Sequence, residues 1–175
     1  VFPKHVADLP LFRLPSFLFF PLSFHLYPKR NNHRRDTLRP KLFRALLQVF
    51  QNFTELRGDG RVGADGCIRG GLACLKSDPS VRCVVIASFK GHTPGDMQAA
   101  NYGMSSPAGY RKALRLMRIA ERFGLPVITL VDTCGALPSF SAERDGQSEA
   151  IATNLTTMAG LRVPIVTIVA GEGGS

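Results

Sequence analysis

The chain has 175 residues, 45% of them apolar and 20% charged, with a formal net charge of +9, a length that fits one domain with a sizeable core. The charge excess is local: residues 1–44 carry nine Lys/Arg against two acids, and the rest carries thirteen against eleven, which argues against a nucleic-acid-binding fold. Cys67, Cys74, Cys83 and Cys134 form no Cys-x-x-Cys or Cys/His pair at metal spacing, which argues against zinc or another metal and for reduced thiols in a protein that is not secreted.

Residues 1–35 read as neither helix nor strand. Leu14–Phe24 is free of charge, but Pro15 and Pro21 interrupt it, and a membrane span needs about 20 apolar residues. The acid-poor, basic composition fits an organellar targeting remnant or non-native translated sequence. Residues 1–35 are therefore set apart as an unstructured leader from a domain over 36–175. Pro40–Phe53 reads as an amphipathic helix, with Leu42, Leu46, Val49 and Phe53 on one face. Glu55–Gly66 is a glycine-rich loop without the Gly-Lys-Ser/Thr of a phosphate loop. Ile68–Leu75 and Arg82–Ser88 are predicted strands, and the turn signal Ser77-Asp-Pro-Ser80 makes them a hairpin.

Lys90–Met104 is polar and loop-like, with Lys90 either solvated or open to an acidic ligand. A helix is predicted over Tyr110–Phe123, its core face made by Ala113, Leu116, Met117, Ala120 and Phe123 and its end marked by Gly124 and Pro126. Arg111, Arg115, Arg118 and Arg122 form a stripe on the other side. That stripe is either a solubilising face or a place for an acidic ligand, such as coenzyme A phosphates, or an acidic partner. Pro126–Asp132 and Pro164–Ala170 are β-branched runs suited to strands buried on both faces. Between them Asp145–Ala159 has helical spacing through Ala150, Ile151, Leu155 and Met158. The alternation predicts an α/β layered fold, with ligands at the loops that follow strands, Val131–Pro138 and Gly171–Ser175.

The side chains near those loops are poor in catalytic types. No His follows His92, so nothing downstream completes a Ser-His-Asp set within the chain. Asp132, Glu143, Asp145, Glu149 and Glu172 are the acids, without a paired carboxylate at identifiable spacing. Asp132 is expected to brace the loop after it, and Glu172 to be buried against glycine amides. What the stretch offers is backbone: Gly135, Gly171, Gly173 and Gly174 leave amides accessible. Amides aimed at an oxygen that gains charge form an oxyanion hole, each worth about 3–4 kcal/mol.

Gly109-Tyr-Arg-Lys-Ala-Leu-Arg-Leu-Met117, Ala120–Phe123, Asp132-Thr133 with Gly135-Ala136, Gly146-Gln-Ser-Glu-Ala-Ile-Ala152 and Gly171-Glu-Gly-Gly-Ser175 occur in this order. Together they resemble the carboxyltransferase alpha subunit of the multi-subunit acetyl-CoA carboxylase of bacteria and plastids, from about Asp36 onward. The resemblance implies a crotonase-type (ClpP/crotonase-like) ββα-repeat α/β fold, incomplete at the C-terminus, in which the hairpin begins the repeats. It implies carboxyl transfer from carboxybiotin, carried on a biotin carboxyl carrier protein, to acetyl-CoA, giving malonyl-CoA for fatty acid synthesis. ATP belongs to the separate biotin carboxylase component. A beta subunit is the implied partner, as two of each, in a plastid stroma or a bacterial cytoplasm.

By position, Gly135 and Ala136 line the carboxybiotin pocket, Gly173 and Gly174 begin the loop that leads to the oxyanion donors, and Arg111 and Arg115 face an acidic ligand or partner. The sequence departs from the family at Cys134, where Pro is usual, at Ser139-Phe-Ser141 and at Arg144-Asp145. Two alternatives remain beside this reading: a truncated, non-catalytic remnant of the same subunit, and a serine hydrolase with a Gly-x-Ser-x-Gly elbow at Ser175.

Overall fold

The run Cys83–Ala87 carries no charge, and all five of its residues are buried. It lies inside a six-stranded sheet. In the computed structural model, which describes residues 22–25, 48–61 and 63–174, the first strands are β1 (Leu22–His25), β2 (Phe50–Glu55), β3 (Ile68–Leu75) and β4 (Arg82–Ser88). There follow α1 (Pro94–Ala99), a 3-10 turn (Asn101–Gly103), α2 (Pro107–Phe123) and β5 (Val127–Thr133). The chain continues with α3 (Phe140–Arg144), α4 (Gln147–Gly160) and β6 (Ile165–Gly173). In space the strands run β1-β6-β5-β4-β3-β2. β2, β3 and β4 are antiparallel neighbours, while β4, β5, β6 and β1 are parallel.

Alternation along β4 divides the core in two. Val84 and Ile86 pack with Val127 and with Leu116, Met117 and Ala120 of α2, whereas Cys83, Val85 and Ala87 pack with Phe50, Ala73 and Leu130. Each fully buried aliphatic side chain contributes about 1.5–3 kcal/mol. α2 begins with Pro107 in its first turn, where a missing N–H costs nothing. Gly124, at φ 63°, closes it: the Gly124 and Leu125 amides donate back to the carbonyls of Glu121 and Ala120, a Schellman-type end that favours glycine.

The hairpin of Ile68–Leu75 and Arg82–Ser88 forms as the sequence predicts, with Asp78 Oδ1 accepting from the Ser80 amide at 3.0 Å in the turn. Several expectations are corrected. Of the helix expected over residues 40–53, residues 40–47 lie outside the described residues, Gln48 and Val49 are helical, and Phe50–Glu55 is strand β2. Asn52, at φ 54°, sits where the register of β2 slips between Gln51 and Thr54. The irregularity lets Phe50 and Phe53, three apart, reach the same cluster, and that spacing imitates a helix. Residues 93–104 are not all loop. Thr93 caps α1 in a reciprocal capping box with Asp96. Phe123 and Leu155, placed on core faces by spacing, are 66% and 64% exposed. Within residues 1–35 the described Leu22–His25 is a strand paired with Val166–Val169, against the expectation of no strand; the rest of that segment lies outside the described residues.

Candidate functional site

The parallel strands β4, β5 and β6 end on the same side of the sheet, and the segments that leave them are fastened to one another. β6 runs further than its β-branched core, so Gly171–Gly173 belong to the strand and Gly173 pairs with Thr133 at the end of β5. The Gly174 amide donates to the Thr133 carbonyl at 2.9 Å. Gly174 lies so close on the Cys134 backbone that a Cβ would collide with it.

From Thr133 the chain turns through Gly135, at φ 145°, a conformation that favours glycine. The Gly135 amide donates to Thr133 Oγ1 at 3.0 Å, and that hydroxyl donates to the Gly103 carbonyl at 2.7 Å. Ala136 then bridges Ser105, and the Leu137 amide donates to the Ser105 carbonyl at 3.0 Å. Gln147, 2% exposed at the start of α4, donates from Nε2 to the carbonyls of Ser105 and Leu137 at 2.9 and 3.4 Å. Its Oε1 is buried without a hydrogen-bond partner. The Gly135 carbonyl lies 2.9 Å from the same hydroxyl, and replacing Thr133 by Val keeps the shape and removes all three contacts. The expected loss is about 1–3 kcal/mol in urea unfolding, most of it from the Gly103 carbonyl left without its donor.

An ion triad lies at the same edge. Lys90 Nζ is 3.0 Å from Asp132 Oδ1 and 2.6 Å from Glu172 Oε2, and Asp132 Oδ1 also accepts from the Glu172 amide at 3.0 Å. Asp132 therefore braces β6 against β5, rather than the loop after it as the sequence reading expected. The Glu172 carboxylate pairs with a lysine rather than with glycine amides, and its side chain is 39% exposed.

The structure thus brings Gly135, Ala136, Gly173 and Gly174 together and corrects how two of them are used. The amides of Gly135 and Gly174, expected to be accessible, are bonded within the chain. Arg111 and Arg115 lie elsewhere, and each makes bonds within the chain. Arg111 Nε is 2.9 Å from Asp59 Oδ2, and Arg115 Nη2 donates to the Arg57 carbonyl at 2.8 Å, so both pin the Glu55–Gly63 segment onto α2. That segment borders a cleft of about 370 Å³ whose lining includes Asp59, Asp65, Arg69, Phe89 and Lys112. Burial pushes the Lys112 ammonium below its ordinary pKa, and its Nζ donates to the Ile68 carbonyl at 2.9 Å. Hydrogen bonding from Arg69 holds the Glu55 carboxyl below its usual value against the opposing effect of burial.

Cys134, where the family resemblance expects Pro, is exposed. Cys67 is buried, and burial, together with Asp65, pushes its thiol up to about 12, which makes it inert. Among the described residues no group of three His, Cys, Asp or Glu is placed to hold a metal, and no helix is long and apolar enough to cross a membrane. Ser175 lies outside the described residues. The sequence reading missed the roles of Lys90, Thr133 and Gln147. A signal for two of them was present, because Thr133 and Gln147 lie in motifs that carry the family resemblance.

The family described as acetyl co-enzyme A carboxylase carboxyltransferase-like matches residues 27–175. The acetyl-coenzyme A carboxylase carboxyl transferase subunit alpha of Halorhodospira halophila is 51% identical over 141 residues, covering 81% of this chain and 43% of that protein. The counterpart from Geobacter sulfurreducens is 52% identical with the same coverage. In Salinispora tropica the similar protein is named subunits beta/alpha, 51% identical over 138 residues, covering 78% of this chain and 24% of that one. The chain spans under half the length of these curated relatives.

Two solved structures share its fold. Transcarboxylase 12S, with methylmalonyl-coenzyme A and methylmalonic acid bound, superposes at TM-score 0.58 and 17% identity, covering 71% of this chain and 22% of that one. The beta subunit of P. aeruginosa geranyl-CoA carboxylase superposes at 0.52 and 22% identity, covering 67% and 22%. The crotonase-type α/β fold implied by the resemblance therefore holds.

Proposed function

Because the chain belongs to the acetyl co-enzyme A carboxylase carboxyltransferase-like family, we propose that it is part of an alpha subunit that transfers a carboxyl group from carboxybiotin to acetyl-CoA, giving malonyl-CoA. The observation that carries the reading is identity of about half over 141 residues to bacterial alpha subunits. The beta/alpha chain of Salinispora tropica supports a beta subunit as the partner. Carboxybiotin arrives as a substrate on a carrier protein, supplying an activated carboxyl group, and ATP is used at a separate biotin carboxylase. The bacterial relatives support a bacterial cytoplasm, and a plastid stroma is the other compartment the resemblance allows.

The site we assign is the edge where β5 and β6 end. A neutral, flat ureido ring fits a wall of backbone and small side chains, and Thr133–Leu137 presents only Thr, Cys, Gly, Ala and Leu, without a charge. Gly135 and Ala136 would line that wall. Gly173 and Gly174 would lead into the loop that stabilises charge on the acyl oxygen. With the Gly174 amide bonded to Thr133, their part in this reading is to set the direction of that loop, and the donors come after them.

A chimera tests the proposal. Residues 36–175 replace the matching segment of the Halorhodospira halophila alpha subunit, which is assembled with its beta subunit and assayed for carboxyl transfer between malonyl-CoA and biotin. Activity within about tenfold of the parent, or about 1.4 kcal/mol of transition-state stabilisation, is expected. A chimera that assembles with the beta subunit and transfers nothing refutes it.

A further inference from the structure

Lys90 is neither a solvated loop lysine nor a cation waiting for a ligand. Its side chain is 13% exposed and its ammonium is shared between Asp132 at the end of β5 and Glu172 at the end of β6. Two absent side chains make room for this. The Lys90 stem lies where a Cβ on Gly103 would be, and the Asp132 carboxylate lies where a Cβ on Gly171 would be. Lys90 follows β4, so one ammonium ties the ends of three strands that are 42 and 82 residues apart from it in sequence.

We propose that Lys90 is a positioning residue that bridges Asp132 and Glu172 and so fixes the ends of β5 and β6 in the register that sets Gly173 and Gly174 beside Thr133–Ala136. Without its charge, two carboxylates that meet at one nitrogen would face each other, and like charges at such a separation repel strongly. The repulsion would act on the bond from the Glu172 amide to Asp132 Oδ1, one residue before Gly173 pairs with Thr133. The Cys67 thiol lies near enough that Asp65, Cys134 and Lys90 all act on it.

The register claim stands on the triad alone, whereas its effect on catalysis rests on the carboxyl-transfer reading, and two arms keep them apart. In the first, amide hydrogen exchange at Glu172 and Gly174 is measured in the full chain at pH 7.5. Lys90→Met retains the stem over Gly103 and is expected to speed both exchanges by about tenfold or more. Lys90→Met/Glu172→Gln, which removes the facing charge, is expected to return them to within about threefold of the parent.

Unchanged exchange in Lys90→Met, or a double variant as loose as the single one, overturns the proposal. If Lys90→Met does not fold, the double variant decides: native protection upholds the charge bridge, and failure to fold refutes it. In the second arm the same variants are placed in the assembled chimera. Lys90→Met should lower kcat with the acyl-CoA KM unchanged, and Glu172→Gln added to it should restore kcat. Loss of KM and kcat together would mark Lys90 as merely structural. A parent chimera without transfer would sink the function proposed above and leave the exchange result to decide Lys90.

Discussion

Asp59→Ala is expected to destabilise the protein by about 3–5 kcal/mol, the usual cost of leaving one partner of a buried ion pair alone. The Asp59 side chain is fully shielded from solvent and sits 2.9 Å from Arg111 Nε. It also accepts from the amides of Arg61 and Gly63 at 2.8 and 3.2 Å. Removing it frees the Glu55–Gly63 segment from α2 and strands a half-buried guanidinium. Asp59→Asn keeps an acceptor for the two amides and loses only the charge, so it should fall between parent and Ala variant in a denaturant series.

The pH dependence of the parent has a definite sign. Burial acts to raise the Asp59 pKa, but the Arg61 amide, Arg111 and the Gly63 amide outweigh it, and the carboxyl titrates below its ordinary 3.8. Its contribution is thus complete above about pH 5 and is lost as the pH falls through 3.8 and on through the folded-state value. The Ala variant should show a flatter stability curve over that acid range. A variant that matches the parent at pH 7 would mean that Arg111 finds another partner.

Leu116→Ala is the second large effect, expected at about 2–5 kcal/mol by urea unfolding. Leu116 is completely buried, and its Cδ1 lies 2.6 Å from where a Cβ on Gly70 would stand. β3 omits a side chain at Gly70, and α2 fills the notch. An added methyl at Gly70 cannot refill the cavity, because its Cβ would also lie 2.6 Å from the Val85 carbonyl. Gly70→Ala should therefore leave Leu116→Ala uncorrected.

Local signals in the sequence are matched closely by the structure, and long-range ones are not. The hairpin is legible to the residue because the turn chemistry of Ser77–Ser80 and the β-branched run of Arg82–Ser88 agree. The strands after Pro126 and Pro164 are legible for the same reason. β2 was hidden because a bulge at Asn52 gives two phenylalanines a helical interval. α1 was hidden in a polar stretch, although Thr93, Pro94 and Asp96 spell a helix start. Periodicity located the stripe on α2 but not its extent, so Phe123 was placed in a core that ends before it. The glycines of the candidate site were legible as positions. What their amides do was not, since the bonds of Gly135 and Gly174 depend on how Thr133 is held. Arg111 with Asp59 and Lys90 with Glu172 are separated by 52 and 82 residues, and no spacing rule connects them.

The irregularity at Asn52 also bears on how the molecule avoids sticking to itself. β2 is one outer strand of the sheet and β1, four residues long, is the other. Unpaired outer strands are templates for uncontrolled growth of β structure, and proteins blunt them with short lengths and bulges. Here one side is short and the other is kinked at a residue with positive φ, so neither margin of the sheet among the described residues presents a long, flat row of open amides and carbonyls. Straightening β2, for example by deleting Asn52, would restore such a row, and fibrillation at high concentration is the hazard it would create.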